Sequence, residues 1–434
     1  MSQQNKHRIS RRGMLGIAGI AVAGTAGVVG GATFAGGSAN AALADCSPTP
    51  TPTATPTGGA VGTATARPTS GFAHPGLLHT EADFARMAEK VKAGAQPWKA
   101  GYDRLVANRH SQSTWSPRAM PTVIRGGAGQ NYVTLYNDIH AAYQNALRWK
   151  VTGERAHGDA ARNILNAWSG TLANLNGNAD RFLAAGIYGY QFANAAEIMR
   201  GYDGFDVARF QKMLLTIFYP MNDRFLTTHN DAYITNYWAN WDLCNMASVL
   251  AIGIFCDDRA KVEQAVDYFK EGAGNGSIKH AVPFVYPGGL GQWQESGRDQ
   301  GHATLGIALM GSFCEMAWNQ GYDLYGYDDN RFLKGAEYVA RYNLGQDVPY
   351  TAYTWGTGRS GARQTQPGVS PASRGAERPE WELVYNHYVK RRGLSAPNVA
   401  AFAQKTRAEG GGGDYGPNSG GFDQLGFGTL TFTR

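Results

Sequence analysis

The sequence predicts an all-α fold of paired helices, arranged either as a superhelix or as an (α/α) toroid. Two observations favour this fold class. Apolar residues recur at helical spacing from His74 onward, and short Gly/Asn/Asp connections separate most of the predicted helices, as between antiparallel neighbours. A third observation counts against a simple solenoid, because no repeat of fixed period is present.

The helices are predicted in chain order. Glu81 begins the first helix, with Thr80 as its N-cap, and Pro97-Trp98 begins the second. A long aromatic-rich helix runs from Asn131 to Val151 and ends at Gly153. The other predicted helices share the same periodicity: Arg155 to Ala173, Phe182 to Arg200, Val207 to Phe218, Trp238 to Phe255, Asp257 to Lys270, His302 to Asn319, Asn330 to Leu344 and Trp381 to Arg391.

Outside these helices the sequence predicts little regular secondary structure. Short ribbons are expected only near Val282 and Thr429. Two long polar segments, Tyr350 to Arg378 and Gly410 to Gly421, are predicted loops, either binding loops or plain connections.

The N-terminal region is predicted to be an export signal followed by a spacer. Basic residues up to Arg11-Arg12 precede a soft Gly/Ala-rich stretch, a pattern that resembles a twin-arginine signal over residues 1–44. Alternating Pro and Thr over residues 45–70 predict an extended linker. We therefore expect one folded domain over residues 71–434, secreted by the twin-arginine route and not membrane-bound after signal cleavage.

Composition excludes several classes of protein. With 43% hydrophobic and 12% aromatic residues the chain is not disordered, and 4 Cys exclude a disulfide scaffold. The net charge of +6 includes four basic residues of the export signal, so the mature chain is close to neutral. It lacks the basic stripe of a nucleic-acid-binding protein and the paired Cys/His spacing of a zinc site. We expect a monomer without metal or cofactor.

Two polar segments at predicted loop–helix junctions are the candidate functional site. The first reads QWQESGRDQGH and contains Arg298, Gln300 and His302; the second reads NYWANWD and contains Asn236 and Asn240 four residues apart on one helix face. Arg298 is also open to a plain structural reading, as an ion-pair partner of Glu295 or Asp299.

These residue types fit β-elimination at a uronic acid. Asn or Arg donors neutralise the carboxylate and stabilise the enolate that develops, a base removes the C5 proton, and an acid protonates the leaving oxygen. We expect His302 as base and Tyr188, Tyr190 or Tyr237 as acid. Aromatic rings offer stacking surfaces for sugars. The predicted substrate-binding residues are Tyr188, Tyr190, Gln191, Trp238, Trp241, Gln300 and His140.

Four segments resemble the alginate-lyase-like polysaccharide lyases: NYWANWD, QWQESGRDQGH, RPEWELVYNHY and GGGGDYGPNSGGFDQLGFG. The resemblance implies an incomplete α/α toroid that cleaves an acidic polysaccharide, alginate or glucuronan. It also implies that Arg298 helps to hold the carboxylate, with Asn236 or Asn240 as the neutralising amide. Where that family has an Asn-His pair before Tyr-Trp, this chain reads Tyr233-Ile-Thr-Asn236, and His302 stands nearest to the place of the family's tyrosine.

Two other functions remain open at this point. One is an inverting glycoside hydrolase that uses two of Glu295, Asp299 and Asp242, which would have to lie about 6.5–9.5 Å apart. The other is a carbohydrate-binding protein without catalytic activity on the same scaffold.

Overall fold

A computed structural model describes residues 71–412 and 422–434. The predicted signal peptide, the predicted Pro/Thr linker and most of the Gly410 to Gly421 loop lie outside the described residues.

Helices dominate these residues. The α-helices are α1 (Glu81–Lys92), α2 (Trp98–Ala107), α3 (Tyr132–Thr152), α4 (Arg155–Thr171), α5 (Arg181–Leu183), α6 (Gly189–Ile198), α7 (Val207–Met213), α8 (Tyr219–Thr228), α9 (Ala239–Phe255), α10 (Arg259–Glu271), α11 (Ile278–Ala281), α12 (Gln300–Asn319), α13 (Tyr327–Asn343), α14 (Trp381–Tyr385), α15 (Pro397–Thr406) and α16 (Gly428–Thr431). Turns of π-helix join α5 to α6 (Ala184–Tyr188) and α7 to α8 (Leu214–Phe218), and another extends α14 (Asn386–Arg391).

Local sequence explains where the helices begin and end. Thr80 and Asp83 form a capping box at the start of α1, and Gly153 ends α3 in the left-handed conformation with φ 77°. Asp299 caps α12 by accepting a hydrogen bond from the backbone N–H of His302 at 2.8 Å. The last of these caps also fixes the candidate site, because it holds Asp299 against the first turn of α12.

The core is a row of inner helices covered by outer ones. Neighbouring contacts run from α3 to α6, from α6 to α9 and from α9 to α12. Almost every residue of α9 and α12 is buried, as expected for helices enclosed on all sides. Outer helices α4, α10 and α13 pack against α3, α9 and α12, and their alternating polar faces reach solvent. This pairing of inner with outer helices agrees with the predicted helical hairpins.

Strands are short and lie in two-stranded pairs. β1 (Thr122–Ile124) runs parallel to β2 (Asn174–Asn176), and β3 (Phe284–Tyr286) is antiparallel to β4 (Leu290–Gln292). A longer hairpin is formed by β5 (Tyr353–Thr357) and β6 (Ala362–Gln366).

Some element predictions need correction. The ribbon near Val282 is confirmed, since β3 begins two residues later, but the ribbon near Thr429 is wrong. Thr429 lies in α16, where the buried carboxylate of Glu409 accepts its backbone N–H at 2.7 Å and fixes the helical turn. The segment Tyr350 to Arg378 is not a plain loop, since it contains β5 and β6. The helix predicted to end at Phe218 continues through α8, and a turn of π-helix directly precedes the first turn of α8, which contains Pro220.

Two further features concern the described part of the chain. None of its helices combines the length and apolar character needed to cross a membrane. Cys244 and Cys314 are buried as free thiols and Cys256 is partly buried.

Candidate active site

A cavity of about 230 Å³ opens where the starts of the inner helices meet. Its lining includes Arg125 from the segment before α3, Ile187 from the π-turn before α6, Asn240 from α9 and His302 from α12. The N-terminal ends of α9 and α12 border this space, and the dipole of each helix directs its positive end towards it. Such a cavity suits an anionic ligand.

Arg298 lies next to the cavity lining, where it has several partners. Its Nη1 donates to Glu295 Oε1 at 3.0 Å, and its Nη2 lies 3.0 Å from His302 Nε2. The guanidinium also stands 5.2 Å from the ring centre of Trp238, within the range of a cation–π contact. The side chain is 26% exposed, so the group is positioned by protein contacts and still borders solvent.

His302 is oriented by Asp299. Its Nδ1 lies 2.7 Å from Asp299 Oδ2, a geometry in which Nδ1–H donates to the carboxylate and Nε2 carries the lone pair. Burial alone would raise the pKa of Asp299, but the hydrogen bond from His302 and the charges of His302 and Arg298 lower that pKa below its usual value. Asp299 therefore stays ionised and holds the imidazole in one tautomer.

Glu295 joins the two sequence motifs. Its side chain is fully buried and accepts hydrogen bonds from Asn240 Nδ2 at 2.7 Å and from the Asn240 backbone N–H at 3.2 Å. Burial raises the pKa of Glu295, although Arg298, His302 and Asn240 oppose the shift. The carboxylate thus fixes Asn240 and Arg298 beside each other at the start of α9.

The β5–β6 hairpin packs over the segment before α9. Trp355 of the hairpin contacts the ring of Trp238, with ring centres 4.8 Å apart. Asn236 Oδ1 accepts the backbone N–H of Gly358 at 2.6 Å. The structure therefore places Asn236 in the attachment of the hairpin, whereas Asn240 lines the cavity.

Tyr237 and Trp241 form an aromatic cluster beside the cavity lining. Their ring centres are 4.6 Å apart, and both rings pack on Phe225. The hydroxyl of Tyr237 accepts a hydrogen bond from Asn230 Nδ2 at 3.0 Å. This cluster supports the start of α9 from the side.

Four other predicted site residues are fully buried, and their side chains contact the protein interior and not the cavity. Gln300 donates to two backbone carbonyls, those of Ser296 and Ser370, and accepts from Asn343 Nδ2 at 3.0 Å. Tyr190 and Gln191 donate to the backbone carbonyls of Asp423 and Phe422, each at 2.7 Å. The buried ring of His140 lies 4.6 Å from that of Phe422. Tyr190, Gln191 and His140 thus lie behind the segment that carries Asp423 into the cavity.

Tyr188 occupies a different position. Its hydroxyl accepts a hydrogen bond from Arg125 Nη1 at 3.1 Å, and Arg125 lines the cavity with His302. Burial raises the pKa of Tyr188 above its usual value, although Arg125 acts in the opposite direction. The hydroxyl therefore stays protonated.

Sequence reasoning missed three charged residues that line the cavity, Arg125, Arg378 and Asp423. Arg378 Nη1 donates to Asp423 Oδ2 at 3.1 Å, and both side chains are buried. The available signals were the Gly-rich segment after Arg125 and the segments RPEWELVYNHY and GGFDQ, which carry Arg378 and Asp423. Within the described residues, no group of three or more His, Cys, Asp or Glu side chains is arranged to hold a metal ion.

Comparisons with known proteins give a consistent result. A family model described as alginate lyase matches residues 87–348. The crystal structure of alginate lyase A1-III from Sphingomonas species A1 aligns with a TM-score of 0.52 and 15% identity, covering 81% of this chain and 95% of that chain. The apo form of a histidine-to-alanine variant of A1-III gives a TM-score of 0.51 and 15% identity, over 82% and 96% of the two chains. None of the curated proteins matches. The likeness confirms the α/α toroid fold.

Proposed function

This chain belongs to the alginate lyase family and is a polysaccharide lyase, and from that premise we propose that it depolymerises a uronic-acid polysaccharide by β-elimination. The candidate substrates are alginate, polymannuronate and glucuronan, and the products carry 4,5-unsaturated uronate ends. One observation carries the proposal: Arg298 lies 3.0 Å from His302, and His302 lines an open cavity beside the N-terminal ends of α9 and α12.

Arg298 is the group best suited to bind the substrate carboxylate. Arginine forms bidentate hydrogen bonds with carboxylates, and the N-terminal ends of the inner helices add a favourable potential. Asn240, held by Glu295, lies beside it and offers an amide donor. Neutralising the C6 carboxylate makes the C5 proton more acidic and stabilises the enolate that follows.

His302 is the proposed base. Nδ1–H donates to Asp299, so the lone pair of the imidazole is on Nε2, where it accepts a hydrogen bond from Arg298. When Arg298 turns to the substrate carboxylate, Nε2 becomes available to remove the C5 proton. Of the predicted acids, we propose Tyr188, because its hydroxyl accepts a hydrogen bond from the side chain of Arg125, which lines the cavity. The hydroxyl of Tyr190 donates its proton to the backbone carbonyl of Asp423, and the hydroxyl of Tyr237 accepts from Asn230.

The contacts of the carboxylates favour a lyase over the hydrolase alternative. Asp242 is fully buried, where Oδ1 accepts from Tyr268 and lies 2.7 Å from His229 Nε2. Glu295 is equally buried and bonded to Asn240. An inverting hydrolase needs one carboxylic acid that protonates the leaving oxygen and one carboxylate that activates a water molecule. Neither Asp242 nor Glu295 is free for either role.

We also propose that the enzyme is secreted and works as a monomer outside the cell. The support is the Arg11-Arg12 pair followed by the apolar Gly/Ala-rich stretch of residues 1–44. Replacing both arginines by lysine in the producing cell is expected to retain the protein in the cytoplasm. Unchanged export of that variant would refute the twin-arginine route.

The proposed reaction is tested with the purified enzyme and four polymers: alginate, polymannuronate, polyguluronate and glucuronan. Cleavage by elimination is expected to raise ultraviolet absorbance in step with new reducing ends on at least one of them. New reducing ends without that absorbance would indicate hydrolysis. Binding of the polymers without new ends would contradict both enzymatic readings.

A further inference from the structure

A second and larger cavity, of about 550 Å³, lies on the surface next to the first turns of α3. We call it the Arg109/Arg118 pocket. Its lining includes Arg109, Trp115 and Arg118 from the segment after α2, and Thr134 and Asn137 from α3. The Arg298–His302 cluster contributes nothing to this lining. The pocket is therefore distinct from the catalytic cavity.

A buried carboxylate holds this pocket in shape. Asp138 is fully buried and accepts hydrogen bonds from Trp115 Nε1 at 2.9 Å, from the Arg118 backbone N–H at 2.7 Å and from Trp168 Nε1 at 2.8 Å. Because the indole N–H of Trp115 is used inside the protein, its half-buried ring is fixed at the pocket wall. A fixed ring of this kind suits stacking against a sugar.

The charge of the pocket is unbalanced. Both Arg109 and Arg118 are exposed, and in the described residues neither forms an ion pair with a carboxylate. Arg109 Nη2 donates to Asn137 Oδ1 at 3.2 Å, and the guanidinium of Arg118 stands 5.8 Å from the ring centre of Trp115. Two arginines that lack carboxylate partners, beside an aromatic ring and polar donors, form a receptor for an anionic sugar.

Aromatic residues connect this pocket with the catalytic cavity. Tyr132 and Tyr136 are the neighbours of Val133 and Asn137 on α3, and Val133 and Asn137 line the pocket. Arg125, which lines the catalytic cavity, stands 5.0 Å from the ring centre of Tyr132. Both cavities therefore adjoin the first turns of α3.

We propose that the Arg109/Arg118 pocket is an accessory subsite that binds the carboxylate of a further uronate residue on the polymer being cleaved. The inference rests on the proposed function, because it takes the same acidic polymer as ligand. The subsite strengthens binding of long chains and leaves the elimination step unchanged, since its residues do not touch the reacting atoms. Short oligosaccharides that fill only the catalytic cavity gain nothing from it.

The test is the double variant Arg109→Ala/Arg118→Ala, with Arg155→Ala as its control. Arg155 is also exposed, lies 5.7 Å from an aromatic ring centre (Tyr202) and has no carboxylate partner in the described residues, but it begins α4 at the far end of α3. For the double variant we expect KM for the long polymer to rise about tenfold at unchanged kcat, with unchanged kinetics on the shortest cleavable oligosaccharide. Arg155→Ala should match the wild type on both substrates.

Two outcomes would overturn the proposal. An unchanged KM for the long polymer would show that the pocket does not bind it, and an equal rise on long and short substrates would place the arginines in the catalytic subsites. Arg109→Gln/Arg118→Gln repeats the test with smaller changes in shape. Calorimetric binding of the wild type and the double variant to polyuronate tests the pocket even where no polymer is cleaved, so failure of the accessory subsite and failure of the proposed reaction are distinguishable.

Discussion

Two regions of the molecule contain the same three side chains in opposite surroundings. At the proposed active site, Arg298 contacts Glu295 and lies 3.0 Å from His302, four residues along the chain. In the core, Arg391 lies 2.7 Å from His387, also four residues away, and donates to both oxygens of Glu315. The first arginine is 26% exposed at a cavity, and the second is 10% exposed inside the protein.

The histidines show what the difference means. His302 is 39% exposed and is oriented by Asp299. His387 is buried and its ring lies flat on Tyr325, with centres 3.6 Å apart. Burial, together with the charges of Arg391 and Arg392, lowers the pKa of His387 far below its usual value. The same residue types thus border solvent at the proposed active site and form a buried structural contact in the core.

The largest expected effect is on catalysis, from Arg298→Ala. Removing a group that stabilises transition-state charge should lower kcat about a thousandfold. The free energy of unfolding should fall less than after loss of the buried Arg391–Glu315 pair. The reason is that water from the cavity can hydrate Glu295 once the guanidinium is gone. Ultraviolet product assays and circular dichroism measure the two effects. A variant with near wild-type kcat would show that Arg298 is as structural as Arg391.

Arg391→Ala should show the reverse pattern. It leaves the buried carboxylate of Glu315 without its bidentate partner, so the free energy of unfolding should fall by about 3–5 kcal/mol. Urea denaturation measures this loss, and kcat per folded molecule should stay within about twofold of the wild type. A large loss of kcat in the folded fraction would break the distinction between the two regions.

A pH-dependent effect should come from Asp83, which pairs with Arg86 at 2.7 Å and Arg434 at 3.3 Å near the same core network. Burial alone would raise the pKa of Asp83, but Arg434 and Arg86 lower it to about 2. A depressed carboxyl pKa stabilises the fold above about pH 4 and loses this contribution as pH falls towards 2. Asp83→Asn should therefore cost about 2 kcal/mol at pH 7.

The difference in free energy of unfolding between Asp83→Asn and the wild type should become smaller as pH falls from about 4 towards 2. Urea denaturation of both proteins at pH 7, 4 and 3 measures it. A difference that stays constant across this range would mean that the carboxylate charge of Asp83 does not stabilise the fold.

The smallest effect concerns the hairpin over the open site. Trp355→Ala removes the ring that packs on Trp238, and an aromatic pair contributes about 1 kcal/mol. Because Trp238 contacts the guanidinium of Arg298, kcat/KM should fall about five- to tenfold. Trp355→Phe, which keeps a ring, is the control. Equal losses in both variants would exclude stacking as the cause.

Most helices follow from local sequence, because capping residues and apolar periodicity act over a few positions. Thr80 and Gly153 set helix ends in the structure as predicted. Asp299 and His302 lie within one turn of Arg298, so their proximity was also predictable from the sequence. Arg125 and Asp423 reach the same cavity from segments almost 300 residues apart, and only the tertiary packing of the inner helices brings them there.

Burial was the property hardest to predict. His140 and Gln191 carry polar groups suited to a sugar, yet both are fully buried beneath Phe422. Their helices belong to the inner row, where neighbours cover every face. A polar residue on such a helix can face either the cavity or the packed interior, and single-sequence periodicity does not separate the two.

The central claim is that access to substrate makes the Arg298–His302 pair catalytic and the Arg391–His387 pair structural. Its most direct test compares His302→Gln with His387→Gln, by the rate of unsaturated-product formation per folded molecule on the best polyuronate substrate. The account predicts at least about a hundredfold loss for His302→Gln and a rate within about twofold of the wild type for His387→Gln. Equal rates in the two variants, or the larger loss at His387, would contradict it.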